Sequence, residues 1–151
     1  MVSDTHLINE YHQLSELSLR PLINRVARIF INMSKTVVVG ASLNPTRYSH
    51  VAIHRLVAAG MEVAAVGLRA GTVCGVEIKT DQPPIENVDT VTLYVGPRHQ
   101  SAWMDYVHAL APRRVIFNPG TENPEWIRQL DELGIEAVIA CTLVMLSVGN
   151  Y

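Results

Sequence analysis

The residues best suited to chemistry lie in one short run, Gly40-Ala41-Ser42-Leu43-Asn44-Pro45-Thr46-Arg47. Gly40 lets the chain turn sharply and brings backbone N–H groups close to a ligand. Ser42, Asn44 and Thr46 add short hydrogen-bonding side chains, and Arg47 adds a fixed positive charge whose planar fork matches a phosphate. Ser49 is expected to cap the helix that follows, and a helix N-terminus favours an anion. The chemistry this pattern offers is the holding of a phosphate rather than the making of a bond. An ordinary strand-to-helix turn with a surface arginine is the bland alternative.

Two missing features narrow the ligand. The dinucleotide fingerprint G-x-G-x-x-G requires glycine at 40, 42 and 45, and this chain has Ser42 and Pro45. After the next strand, an acidic residue ordinarily accepts from the ribose 2′-hydroxyl of NAD, but the sequence reads Val66-Gly67-Leu68-Arg69. Arg69 instead suits an extra phosphate on the ribose. Coenzyme A and NADP both carry one, so both survive and NAD weakens.

Other reactive side chains are weaker candidates. Cys141 follows a strand and is expected either to pack or to meet a ligand; Cys74 lies in a glycine-rich stretch. His50 and His54 are four apart on one helix face, a spacing that can ligate a metal. Val51 stands where the zincin signature places its glutamate, so no metal hydrolysis is expected and no metal site is assigned. His99 and Glu122 follow later strands, and Glu122 lacks a paired acid or base. No Tyr-x-x-x-Lys pair occurs, and no catalytic residue is assigned.

These residues need elements to position them. Thr36–Val39 reads as a strand buried on both faces, stopping at Gly40, with a helix through Val51, Ala52, Leu56 and Val57 that ends at Gly60. Glu62–Val66 is the second strand, residues 67–75 a loop, and Val76–Ile78 a short edge strand. Thr90–Val95 is the third main strand, followed by a helix over about residues 98–111 with Trp103, Val107 and Leu110 on one face. Arg114–Phe117 is the fourth, Pro124 opens a helix to Leu133, Glu136–Ala140 is the fifth, and a short helix follows Cys141. Strands alternating with helices predict a single Rossmann-like α/β domain: a three-layer, doubly wound, open parallel sheet. Ligands of such a sheet sit outside the C-terminal ends of its strands, which adds Gly96 and Asn118 to the candidate site.

Bulk properties fit one soluble globular domain. The chain has 151 residues, 48% hydrophobic and 17% charged, with a formal net charge of -2, so nothing draws it to nucleic acid or an anionic membrane. Two cysteines are too few for a disulfide scaffold, no apolar run is long enough to span a bilayer, and Asp4, His6 and Glu10 do not make a secretory signal. A cytoplasmic location is expected. Residues 1–34 differ from the rest. They read either as an upstream mis-start ahead of Met33 or as an amphipathic helix carrying Leu22, Ile23, Val26, Ile29 and Phe30 between arginines. Residues 35–151 form the domain.

The strand Thr36–Val39 followed by Gly-Ala-Ser-Leu-Asn-Pro-Thr-Arg-Tyr resembles the start of the small stand-alone CoA-binding domain proteins. These are similar to the N-terminal domain of the succinyl-CoA synthetase alpha subunit. The resemblance runs from about Lys35 to Cys141 and includes Arg69-Ala70-Gly71 and Asn118-Pro119-Gly120-Thr121-Glu122. It implies CoA or acyl-CoA along the strand exits, with Gly40, Ala41, Ser42, Asn44 and Arg47 in the phosphate-contacting turn and Arg69 as the basic residue beyond the second strand. Gly67-Leu68 departs from the family's Asn-Pro. The leading expectation is a CoA-binding carrier, sensor or regulatory module without catalysis, with an oligomer or protein partner left open. A small NADP-dependent oxidoreductase or other nucleotide-binding protein, and a protein-interaction domain with a degenerate pocket, are the alternatives.

Overall fold

In the computed structural model, residues 21–23 and 35–151 are described. Residues 21–23 are helical; the rest of the proposed amphipathic segment lies outside the described residues. The chain divides into Met1–Met33 and Ser34–Tyr151, and the sheet with its connecting helices belongs to the second unit.

Seven strands form one sheet in the order β3-β4-β2-β1-β5-β6-β7. They are β1 (Lys35–Ala41), β2 (Val63–Gly67), β3 (Gly71–Val73), β4 (Val76–Lys79), β5 (Val88–Leu93), β6 (Arg114–Phe117) and β7 (Glu136–Ile139). All pairings are parallel except β3 with β4. Four helices connect or follow them: α1 (Tyr48–Ala58), α2 (Ser101–Leu110), α3 (Pro124–Glu132) and α4 (Thr142–Ser147). This is the expected Rossmann-like layering, with β1 at its centre. The chain first builds outward through β2 and then crosses to β5, so the order reverses between β1 and β5.

Alternation along β1 explains the layers. Val37 and Val39 face a core shared with Trp103, Val107 and Leu110 of α2 and Trp126 and Leu130 of α3. Val38 points the other way, toward Ile53 and Leu56 of α1, with Leu146 of α4 against the same cluster. All three valines are fully buried, as a strand covered on both faces requires. Trp126 is also fully buried, edge-on to Phe117 at 5.5 Å between ring centroids, and its Nε1 donates to His108 Nε2 at 2.9 Å. Burying each such large side chain stabilises the fold by about 1.5–3 kcal/mol.

Several boundaries differ from those read in the sequence. β1 does not stop at Gly40 but continues through it to Ala41, with a register irregularity between Val39 and Ala41. Gly40 has φ +87°, and a Cβ there would lie 2.8 Å from Val95 Cγ2 and 2.9 Å from the Tyr94 carbonyl oxygen. The glycine thus serves a bulge and a close approach to the chain beyond β5, not the turn itself. Residues 67–75 are not all loop: β3 pairs with β4 across Cys74 and Gly75, both at positive φ, as a two-residue hairpin turn requires. β3 is therefore the sheet edge, and β4 lies inside it. The third main strand is Val88–Leu93 rather than Thr90–Val95, although Tyr94 N still donates to Val39 O at 2.8 Å. The expected 98–111 helix is a 3-10 turn at Pro97–His99 followed by α2, which ends at Ala111 in the left-handed region.

Candidate functional site

The turn from Ser42 to Arg47 is braced by its own polar groups. Ser42 Oγ accepts from Asn44 N at 3.1 Å, and Asn44 Oδ1 accepts from both Thr46 N (3.0 Å) and Thr46 Oγ1 (2.8 Å). Arg47 N closes the turn on Asn44 O at 3.0 Å, and His50 Nδ1 reaches Ser42 O at 3.1 Å from the first turn of α1. These bonds use acceptors and leave donors over. The Ser42 hydroxyl proton and the Asn44 amide protons have no partner among the described residues, so the turn offers hydrogen-bond donors to an anion.

Arg47 is the N-cap of α1, with extended backbone and no side-chain cap. Ser49 is not the cap. It is buried inside the first helical turn, because the helix begins one residue earlier, at Tyr48. Arg47 is exposed, and so is Arg69 in the three-residue link from β2 to β3; neither forms an ion pair among the described residues. The two loops that carry them touch. A Cβ at Gly71 would lie 2.5 Å from Leu43 Cδ2, which puts the Leu43 side chain across the start of β3.

The other candidates occupy the same edge in different capacities. Ala41 has its side chain buried against α1, so only its backbone faces outward chemistry. Gly96 follows β5, and a Cβ there would meet nothing within 4 Å, which leaves its backbone open to approach. Asn118 is only 3% exposed and its amide is committed. Its Nδ2 donates to Thr92 Oγ1 (2.8 Å) and Leu93 O (3.0 Å), while Oδ1 accepts from Thr142 N (2.8 Å). That side chain ties β6 to β5 and to the start of α4. Glu122 is exposed and accepts from Gly120 N at 2.7 Å. His99 is exposed in the 3-10 turn, Cys74 is exposed in the β3–β4 hairpin, and Cys141 is half-buried as the N-cap of α4.

Gln100 was not legible as a site-forming residue. It is fully buried, and its Nε2 donates to Val95 O (2.9 Å) and Thr121 O (2.6 Å), while Oε1 accepts from Asn123 Nδ2 (2.8 Å). One amide therefore clamps the exits of β5 and β6 and the N-cap of α3. Nothing in local sequence marks a glutamine for this, since its partners are backbone carbonyls 5 and 21 residues away. Beneath the same edge lies Tyr94. Burial pushes its hydroxyl up to about 12, against the pull of Thr92 and Thr142. Those two bond each other at 2.8 Å, and among the described residues the Tyr94 hydroxyl forms no hydrogen bond.

Among the described residues, no group of three or more His, Cys, Asp or Glu side chains converges, and no helix is long and apolar enough to cross a membrane. The arrangement is a rim of exposed arginines and unpaired hydrogen-bond donors at the point where the strand order reverses, where open α/β sheets bind ligands.

Comparison with known proteins gives the same direction. Residues 34–147 match the family model described as a CoA binding domain. A crystal structure of an uncharacterised protein is 50% identical, covering 79% of this chain and 98% of that one, with a TM-score of 0.76. A Thermus thermophilus protein, cell-free ID.343, is 26% identical over 84% of this chain and 98% of its own, with a TM-score of 0.69. A conserved hypothetical protein from Pyrococcus furiosus is 26% identical over 69% of this chain and 90% of its own, with a TM-score of 0.61. No curated protein matches the chain.

Proposed function

The chain belongs to the CoA-binding domain family, and from that premise we propose that it binds coenzyme A or an acyl-CoA along the exits of β1, β2, β5 and β6. It does so as a carrier, sensor or regulatory module without chemistry of its own. The observation that carries this reading is the pair Arg47 and Arg69. Both are exposed, both lack an ion-pair partner among the described residues, and they sit on adjoining loops beside a turn with spare donors. Arg47 with Ser42 and Asn44 suits the pyrophosphate, and Arg69 suits the phosphate on the ribose. Ala41 and Gly96 contribute backbone, while Gly40 and Asn118 hold the strand ends that present the site.

A thermal-shift panel with CoA, acetyl-CoA, NADPH and NAD tests the assignment. Ligand at a hundredfold excess over its dissociation constant stabilises the fold by about 2.7 kcal/mol. CoA or acetyl-CoA should raise the melting temperature and NAD should not. A shift with NADPH alone would replace the CoA reading with an NADP one.

A further inference from the structure

We propose that His50 and His54 form a divalent-cation clip on the outer face of α1, taking a first-row transition ion of the zinc or nickel type. Residues four apart on a helix are neighbours, and here the two imidazole centroids are 5.0 Å apart with their planes tilted by 40°. The tautomer of His50 is fixed by its surroundings. The Ser42 carbonyl can only accept, so the proton of the 3.1 Å bond is on Nδ1, and in the neutral ring Nε2 carries the lone pair a metal ion takes. A histidine that donates one ring N–H to a backbone carbonyl and offers the other nitrogen is the arrangement metal-binding histidines use to fix their orientation.

The spacing of the rings fits the bond lengths. Zinc–imidazole bonds of about 2.0–2.1 Å put each ring centre about 3.2 Å from the ion. Two centres 5.0 Å apart lie within the roughly 6.4 Å that two such bonds can span, so one ion can reach both rings. Half-buried His50 and exposed His54 carry no other bond among the described residues that would compete for the free nitrogens. Among the described residues no third histidine, cysteine or carboxylate joins them, so water or an exogenous anion completes the coordination. Arg47 and Arg55 flank the pair in sequence, and binding is accordingly weaker than at a closed four-ligand site. The clip differs from the metal-hydrolase use of this spacing because no glutamate follows the first histidine. It stands whatever anion fills the neighbouring turn.

The test is calorimetric titration of the untagged protein with zinc chloride and, separately, nickel chloride, without nucleotide. The exposed His54 allows His54→Ala to be made without disturbing the core, and that variant should bind zinc at least about tenfold more weakly, since it loses the second, intramolecular ligand. Long-range proton–nitrogen spectra of the imidazoles separate this site from binding at Cys74. Zinc should shift Nε2 of His50 while its Nδ1 proton persists. Equal zinc affinity in the wild type and His54→Ala, or a His50 ring unmoved at saturating zinc, would overturn the proposal.

Discussion

Gly67 lies so close to Ala41 that any side chain at position 67 would overlap the Ala41 carbonyl oxygen. The two residues are register partners at the ends of β2 and β1, the strands whose exits carry Arg69 and Arg47. The resemblance drawn from the sequence implies an asparagine at this place. Here the space an asparagine would need is filled by the β1 backbone, so the departure is built into the packing of the sheet edge. Gly67→Ala should destabilise the protein by about 1–3 kcal/mol, and Gly67→Asn by at least as much, read as a lower urea midpoint.

Gly40 is constrained twice, by its positive φ and by the chain beyond β5. Gly40→Ala places a methyl 2.8 Å from Val95 Cγ2 in a backbone conformation alanine resists. The expected cost is about 2–4 kcal/mol in denaturant unfolding, more than at Gly67, because strain adds to overlap. Gly96→Ala, by contrast, meets no atom within 4 Å and should change stability by less than about 0.5 kcal/mol.

Gln100 holds two exit loops from inside. Gln100→Leu leaves the Val95 and Thr121 carbonyls without their donor, at about 1–3 kcal/mol for each buried acceptor left unpaired. Amide exchange should accelerate in residues 118–123 and remain slow in β1. Uniform acceleration across the sheet would mean that the side chain supports the core at large rather than these loops.

Acid sensitivity should centre on Asp89. Burial raises its carboxyl, but Arg113, donating at 2.8 and 3.1 Å, and the Thr90 hydroxyl outweigh that and hold it below the usual aspartate value. A carboxyl depressed on folding stabilises the protein above its unfolded value and loses that contribution as pH falls through its folded one. The urea midpoint should therefore decline below about pH 4. Asp89→Asn should lower the midpoint at pH 7 and flatten the decline.

How much of this could be read from sequence depended on the range of the forces involved. β6 matched its reading residue for residue, since Arg114–Phe117 sits between the short loops flanking it. Pro124 likewise marked the start of α3, which ends at Glu132, one residue short of its reading, and whose N-cap Asn123 accepts from Glu125 N and Trp126 N at 3.2 Å. Gly40 was visible as special but not as a bulge, because the atoms that demand glycine there belong to Tyr94 and Val95, more than fifty residues away. The β3–β4 hairpin was hidden because Cys74 is a rare occupant of a positive-φ turn position. In the site, charge and backbone donors were legible locally. The Asn118 and Gln100 networks were not, because their partners meet only when the sheet assembles.

The most direct test of the central claim is calorimetric titration of CoA and dephospho-CoA into the wild type, Arg47→Ala and Arg69→Ala. A charge-assisted contact contributes about 1.5–3 kcal/mol, so each arginine removed should weaken CoA binding by about ten- to a hundredfold. Arg47→Ala should weaken both ligands, whereas Arg69→Ala should weaken CoA and leave dephospho-CoA nearly unchanged. Wild-type protein that takes up neither ligand, or CoA affinity unchanged in both Arg47→Ala and Arg69→Ala, would contradict a CoA site on this rim.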